Sequence, residues 1–248
     1  MAEYKFPTEM VDLPSKGYFY FDGHPLSSGK VEIKYMTAKE EDILTSQNLI
    51  QNGTVIDKLL ESLIVDKSIN IDDLLVGDKN ALMLASRILA YGKDYEFTYE
   101  GEEHSIDLSK LESLDIDISK FTRSKNEFNF KLPTSEREIT FKLLTGGDEK
   151  SIAEETIAKQ KISKEFNPIF TTRLKHMILS VDGKSEKSYI NNFVDNEFLS
   201  RDSLSFRKYL SSITPDVDMN VKVTDSSGKK TEVAVPITVR FFWPSAGV

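Results

Sequence analysis

Cysteine is absent from all 248 residues. Its absence removes disulfides, thiolate metal sites and cysteine nucleophiles together. Histidine is nearly as scarce: His24, His104 and His176 lie far apart, and no two of them stand one helical turn from each other. No window approaches the ~20 consecutive apolar residues of a membrane-spanning helix. The start, Met1-Ala-Glu-Tyr-Lys-Phe-Pro7, lacks the basic opening and apolar run of a secretory signal. Positive charge is also in deficit, with 32 Lys and Arg against 40 Asp and Glu and a net charge of −8. Nucleic-acid binding draws its affinity from cationic patches on phosphate, so that class is disfavoured. The basic residues Lys159, Lys161 and Lys164, and the pair Lys229-Lys230, are interspersed among acids and read as solvated faces.

What is present is ordinary globular material, 39% hydrophobic and 29% charged, in a chain long enough to bury a large core. Residues 1–30 read as an extended, turn-rich arm, punctuated by Pro7, Pro14, Gly17, Gly23, Pro25 and Gly29. Within it the aromatics Tyr18, Phe19, Tyr20 and Phe21 fall between turns. Val31, Ile33 and Tyr35 then alternate with Glu32 and Lys34, the period-two pattern of a half-buried strand. Thr37-Ala-Lys-Glu40 follows as a capping box. Ile56, Leu59, Leu60, Leu63 and Ile64 recur at helical spacing, and residues 81–90 form an almost wholly apolar helix that Gly92 is placed to stop. Asp78 is a candidate cap for that helix. Tyr95–Tyr99 and Ser105–Leu108 bracket a turn and predict a hairpin.

Residues 109–125 are acidic and weakly patterned, and the boundary between two halves, 31–125 and 126–248, is placed there. In the second half strands are predicted at 127–132 and 138–143, and helices at about 148–161, 170–181, 187–198 and 201–213, the last capped by Ser200. A closing ribbon follows, with Val221 and Val223 before the turn Asp225-Ser-Ser-Gly228. Val233, Val235, Ile237, Val239 and Phe241 then line one apolar strand face, and Pro236 marks an edge or bulge. The fold class is α+β: two helical clusters, each with small antiparallel ribbons. Lys34 and Thr37 match Lys142 and Thr145 at one spacing, and both halves close on a ribbon, so an internal duplication is proposed.

No recognisable chemistry accompanies this pattern. A Gly-x-Ser-x-Gly elbow is missing. Thr145-Gly-Gly-Asp148 sits at a strand-to-helix turn but lacks the Gly-Lys-Ser/Thr ending of a phosphate loop. Asp115-Ile-Asp117-Ile-Ser119 opens like a calcium loop, yet Lys120 and Asn126 stand where glycine and a bidentate glutamate are needed. The acids of Glu40-Glu41-Asp42, and Asp202 with Arg201 or Arg207 as a salt-bridge partner, are accounted for by helix-dipole stabilisation. Neither a metal, a cofactor nor catalysis is expected. Two aromatic-basic patches stand out for partner binding, Lys16 with Tyr18 and Phe19, and Arg240 with Phe242 and Trp243. Aromatics and arginine bury large areas with little conformational loss. On the predicted strand, Phe242 faces away from Phe241 and Trp243, toward another layer or a partner.

The run Asp12-Leu-Pro-Ser-Lys-Gly17, the segment Lys34-Tyr-Met-Thr-Ala-Lys-Glu-Glu-Asp-Ile-Leu44, Ile56-Asp-Lys-Leu-Leu60, Leu74-Leu-Val-Gly-Asp78, Arg87-Ile-Leu-Ala-Tyr-Gly92 and Phe241-Phe-Trp-Pro244 together resemble baseplate hub assembly proteins of T-even-like contractile-tailed phages. The resemblance spans nearly the whole chain. It implies a non-enzymatic assembly factor that binds phage baseplate hub proteins in the host cytoplasm. The alternative is a structural component retained in the virion tail. Related phage proteins carry Cys-x-x-Cys pairs at ribbon tips. Here those tips hold Glu100-Gly-Glu-Glu103 and Asp225-Ser-Ser-Gly228, so no zinc carries over.

Overall fold

The computed structural model describes residues 7–162, 167–224 and 228–242. Among these, eight α-helices accompany antiparallel sheets of two or three strands, an α+β fold. The turn-rich arm is folded in from its start. Strand β1 (Thr8–Asp12) pairs antiparallel with β2 (Lys30–Lys34), in register Thr8↔Lys34 to Asp12↔Lys30. Between them the chain reverses at Lys16 and Gly17, both left-handed (φ 52° and 72°), and passes through a 3-10 turn at Pro25–Ser28.

Helices α1 (Ala38–Thr45), α2 (Gln47–Gln51) and α3 (Val55–Leu63) follow. The predicted capping box forms: the Thr37 amide and hydroxyl donate to Glu40 at 2.9 and 2.7 Å. The apolar stripe of α3 buries Leu59, Leu60 and Leu63. After α3, Ile64 bridges Ile33 and the Val65 amide donates to the Glu32 carbonyl at 3.0 Å, adding a third backbone segment beside β2. The 16-residue α4 (Val76–Tyr91) runs through the core and ends at Gly92, φ 83°. Strands β3 (Asp94–Tyr99) and β4 (Glu102–Asp107) form the expected hairpin.

Beyond the connector, β5 (Phe128–Lys131), β6 (Glu138–Phe141) and β7 (Ile178–Val181) form a three-stranded sheet in the order β5-β6-β7. Between β6 and β7 lie α5 (Gly146–Ile162) and α6 (Ile169–Met177). The predicted helix over 170–181 therefore stops at Met177, because β6 offers a free edge that captures Ile178–Val181. The helix expected over 187–198 divides into α7 (Lys187–Asn192) and a π-turn at Phe193–Glu197. Helix α8 (Ser200–Ile213) has Leu199 rather than Ser200 at its N-cap. Strands β8 (Asn220–Thr224) and β9 (Lys230–Ala234) close the last hairpin. Most of its predicted tip, Asp225–Ser227, lies outside the described residues.

The long apolar strand predicted from Val233 to Phe241 ends at Ala234, and Val239–Phe242 forms a 3-10 turn. Period-two apolarity could not register this. Once Pro236 breaks the ladder, both Phe241 and Phe242 are fully buried, the first edge-on to Tyr95 at 5.0 Å.

One apolar cluster runs through both halves. The joint between them is a short antiparallel contact: Leu75 bridges Thr145, the Val76 amide donates to the Leu144 carbonyl at 3.1 Å, and the Gly146 amide donates to the Leu74 carbonyl at 2.8 Å. Close approach dictates glycine here. A Cβ on Gly77 would sit 1.9 Å from the Pro215 carbonyl oxygen, and one on Gly146 2.9 Å from that of Ile71.

Candidate partner-binding surface

The arm is held by a buried carboxylate. Asp78, in the first turn of α4, does not cap its own helix: it accepts the Ser15 amide at 2.9 Å, the Ser15 hydroxyl at 2.6 Å and the Tyr20 hydroxyl at 2.6 Å. Tyr20 Oη in turn accepts the Leu75 amide at 2.9 Å, which ties the arm to the joint between the halves. Burial raises the Asp78 pKa above the ordinary carboxylate value against the pull of these donors. Burial, reinforced by Asp78, likewise pushes the Tyr20 phenol far up.

This latch sets which arm side chains face outward. Lys16 is exposed at the tip of the turn. It lines a groove of about 510 Å³ with Asp12, Lys30, Ser113, Leu114 and Asp115, a floor of alternating charge beside a half-exposed leucine. Tyr18 is partly buried, donating to the Phe121 carbonyl at 3.0 Å with the Arg123 guanidinium 5.9 Å from its ring. Phe19 is 3% exposed and packs on Phe128 at 5.2 Å and Phe121 at 6.0 Å. Phe21, absent from the predicted set, is 63% exposed and meets His24 edge-on at 4.8 Å. The four consecutive aromatics gave no signal to separate them, because turn geometry and not periodicity decides which points out.

At the other patch, Arg240 is exposed while Phe242 is 0% exposed. Phe242, expected to face another layer or a partner, is driven by the 3-10 turn into the core of its own chain and is not a surface contact. Arg87 fixes this turn by donating Nε to the Phe241 carbonyl at 2.8 Å and Nη1 to the Gly92 carbonyl at 2.9 Å. Trp243 lies outside the described residues. The two patches are thus anchored at opposite ends of α4, by Asp78 and Arg87, about 14 Å apart along the axis at 1.5 Å per residue.

The polar groups that sequence reading weighed as chemistry are committed to architecture. Glu40 accepts from Lys34 at 2.8 Å and Ser62 at 2.6 Å as well as from Thr37. Burial opposes its ionisation, but these bonds together hold its pKa at about 2. Asp202 takes the amides of Thr134 and Ser135 at 2.7 and 3.0 Å, instead of the arginine partner expected. His24 accepts the Leu26 amide, and His176 bonds Glu155 at 2.8 Å. Between the halves, a cleft of about 180 Å³ is lined by Leu75, Leu144, Arg173, Met177 and Asp216. It is smaller than the ~300–1,000 Å³ usual for small-molecule sites, and Arg173 is already paired with Glu149. Among the described residues no helix is long and apolar enough to cross a membrane.

A family profile described as T4 bacteriophage base plate protein matches residues 8–243, from the first residue of β1 past the last 3-10 turn. The chain belongs to that family. No curated protein and no solved structure matches it. Membership makes this a T4-like phage baseplate protein, whose expected associates are other baseplate proteins.

Proposed function

We propose that this baseplate protein is a non-enzymatic assembly factor for the central hub, binding hub subunits while the tail is built. The observation that carries the reading is the family match across residues 8–243. The finer assignment to the hub draws on the resemblance of the Asp12–Gly17, Lys34–Leu44 and Phe241–Pro244 segments to hub assembly proteins. The commitment of Glu40, Asp78 and Asp202 to holding turns supports binding over bond chemistry, since each accepts bonds from backbone or side chains of its own fold.

The proposed contact residues are Lys16 and Tyr18 on the arm, joined by the exposed Phe21, with Arg240 and Trp243 at the far end. Phe19 and Phe242 support these positions from the core. A tagged pull-down from phage-producing cells, read by quantitative mass spectrometry, tests the reading. Hub proteins are expected at defined stoichiometry, with little of this chain in purified particles. Abundance in finished particles would instead establish the retained structural component, and recovery of the protein alone would overturn both. The combined Lys16→Ala, Phe21→Ala and Arg240→Ala variant is expected to lose capture by at least tenfold with its melting temperature unchanged.

A further inference from the structure

The two halves repeat their bonding patterns position for position. The Leu13 amide donates to the Gly29 carbonyl beside β1–β2, and the Leu132 amide donates to the Arg137 carbonyl beside β5–β6. Two residues on, Ser15 N–H reaches Asp78 in the first turn of α4, and Thr134 N–H reaches Asp202 in the first turn of α8. Lys34 and Thr37 grip Glu40, and Lys142 and Thr145 grip Asp148, at the same spacings. Helices α3 and α6 are both nine residues long. Ile64 then bridges Ile33, as Ile178 pairs with Phe141. The equivalences Lys34 to Lys142 and Leu63 to Met177 bring both pairs into coincidence. Leu75 correspondingly matches Leu199, each the N-cap of its helix.

This correspondence leaves one contact made once. The first half inserts Leu74–Val76 against Leu144–Gly146 of the second, and Leu75 is buried there at 4% exposure. The equivalent insert of the second half is Phe198–Ser200, and the equivalent receiving segment of the first is Met36–Ala38. Among the described residues these two do not meet: Leu199 is 46% exposed, and no bridge joins it to Thr37. The groups such a contact needs are the Met36 carbonyl, the Ala38 amide, the Phe198 carbonyl and the Ser200 amide. None has a hydrogen-bond partner among the described residues.

We infer that the chain is a tandem of one module, and that the open insert at Phe198–Ser200 docks on Met36–Ala38 of a second copy, repeating between chains the joint made within one. The occupant is argued from that joint, since the receiving segment in the first half has the backbone arrangement the second half already uses. Exposed Lys39 stands where Gly147 faces Asp72, so in the intermolecular joint it meets Asn196, while the flanking Asp195 and Glu197 are already paired with Lys175 and Arg137 and add no attraction. Ala38 and Lys39 replace Gly146 and Gly147, where an added Cβ would lie 2.9 Å from the Ile71 carbonyl oxygen and 3.0 Å from Asp72 Cβ, so the segments must seat less closely and the joint is weaker than its intramolecular model. Intramolecular joining also enjoys a high effective concentration that association between chains lacks. Such a contact joins two different patches, so it propagates head to tail, or closes into a ring where the rotation per step allows.

The inference stands apart from the hub assignment and is tested on the purified full chain by sedimentation velocity across the micromolar range. The weight-average sedimentation coefficient is expected to climb with concentration above that of the monomer. Ala38→Pro and Ser200→Pro each delete one of the two donors. Both positions are the first residue of a helix, where proline is tolerated, and the residues before them are already extended (Thr37 φ −124°, ψ 175°; Leu199 φ −63°, ψ 143°). Each variant alone is expected to be monomeric, and an equimolar mixture of the two to stop at a 1:1 dimer. Leu199→Asp, on an exposed side chain, serves as a second block of the insert if a proline variant loses its fold. A wild-type chain monomeric throughout, or association indifferent to these substitutions, would overturn the proposal. So would binding of a different baseplate protein at Leu199 in place of a second copy.

Discussion

Glu40 shows how one residue can be mistaken for chemistry. It is fully buried, ionised, and held by a lysine, two hydroxyls and an amide. Its folded pKa of about 2 lies below the ordinary 4.5. The sign follows: the folded state binds the proton less well than the unfolded one, so the contribution is complete above about pH 5. It is lost as pH falls through 4.5 toward 2. The size is on the order of 3 kcal/mol, at 1.36 kcal/mol per pKa unit. Urea unfolding of wild type and Glu40→Gln should therefore differ by roughly that amount at pH 7, by about half of it at pH 3, and converge near pH 2, and an undiminished difference at pH 3 would refute the account. The capping box around Glu40 was legible in Thr37-Ala-Lys-Glu40. Lys34 and Ser62 as its further partners were not, because a strand and a later helix deliver them. Asp78 was legible only as a helix-start acid, since its partners Ser15 and Tyr20 lie about 60 positions earlier in the chain.

Elements with strong local periodicity were read nearly to their ends. The apolar stripes of α3 and α4, the β3–β4 hairpin and the start of α5, expected near residue 148 and found at Gly146, need only their own sequence. The failures fall where a neighbour overrides a local preference. Ile178–Val181 continues a helical pattern but is taken by the free edge of β6, and Val235–Phe241 continues a strand pattern but folds onto α4 and β3. Strand β1 lay hidden in the turn-rich arm because it lacks apolar alternation, with Met10 52% exposed, and its partner is β2. The joint between the halves is equally non-local, and it depends on glycine where α4 meets Pro215. Gly77→Ala places a methyl 1.9 Å from that carbonyl oxygen. The insertion should force the helix start away from the joint and cost about 1–3 kcal/mol, as overpacking does. A melting temperature within a degree of wild type would show that the joint yields freely.

At the scale of the whole molecule, one core spans both halves, and three connections reinforce it: the Leu75–Thr145 bridge, the ladder of residues 112–114 on 216–218, and the Arg87 anchor on the Phe241 carbonyl. Two separately stable halves would unfold in two steps, whereas shared burial couples them. Calorimetry should show one transition, with a van't Hoff enthalpy close to the calorimetric enthalpy. Two resolved transitions would mean that the halves share less than their packing implies.

The sequence alone determined what depends on composition and short-range pattern: the α+β class, the Thr37–Glu40 capping box, the stop at Gly92, the absence of thiol chemistry, and the resemblance that the match over residues 8–243 carried as far as the baseplate family. Tertiary structure decided which of four adjacent aromatics faces solvent, that Phe242 is core, that Asp78 and Asp202 hold distant turns, and that Leu199 stands open where Leu75 is covered. The division has a physical cause. Backbone propensities and helix caps act over a few residues, whereas burial and hydrogen-bond pairing are settled only when segments far apart in the chain compete for the same space.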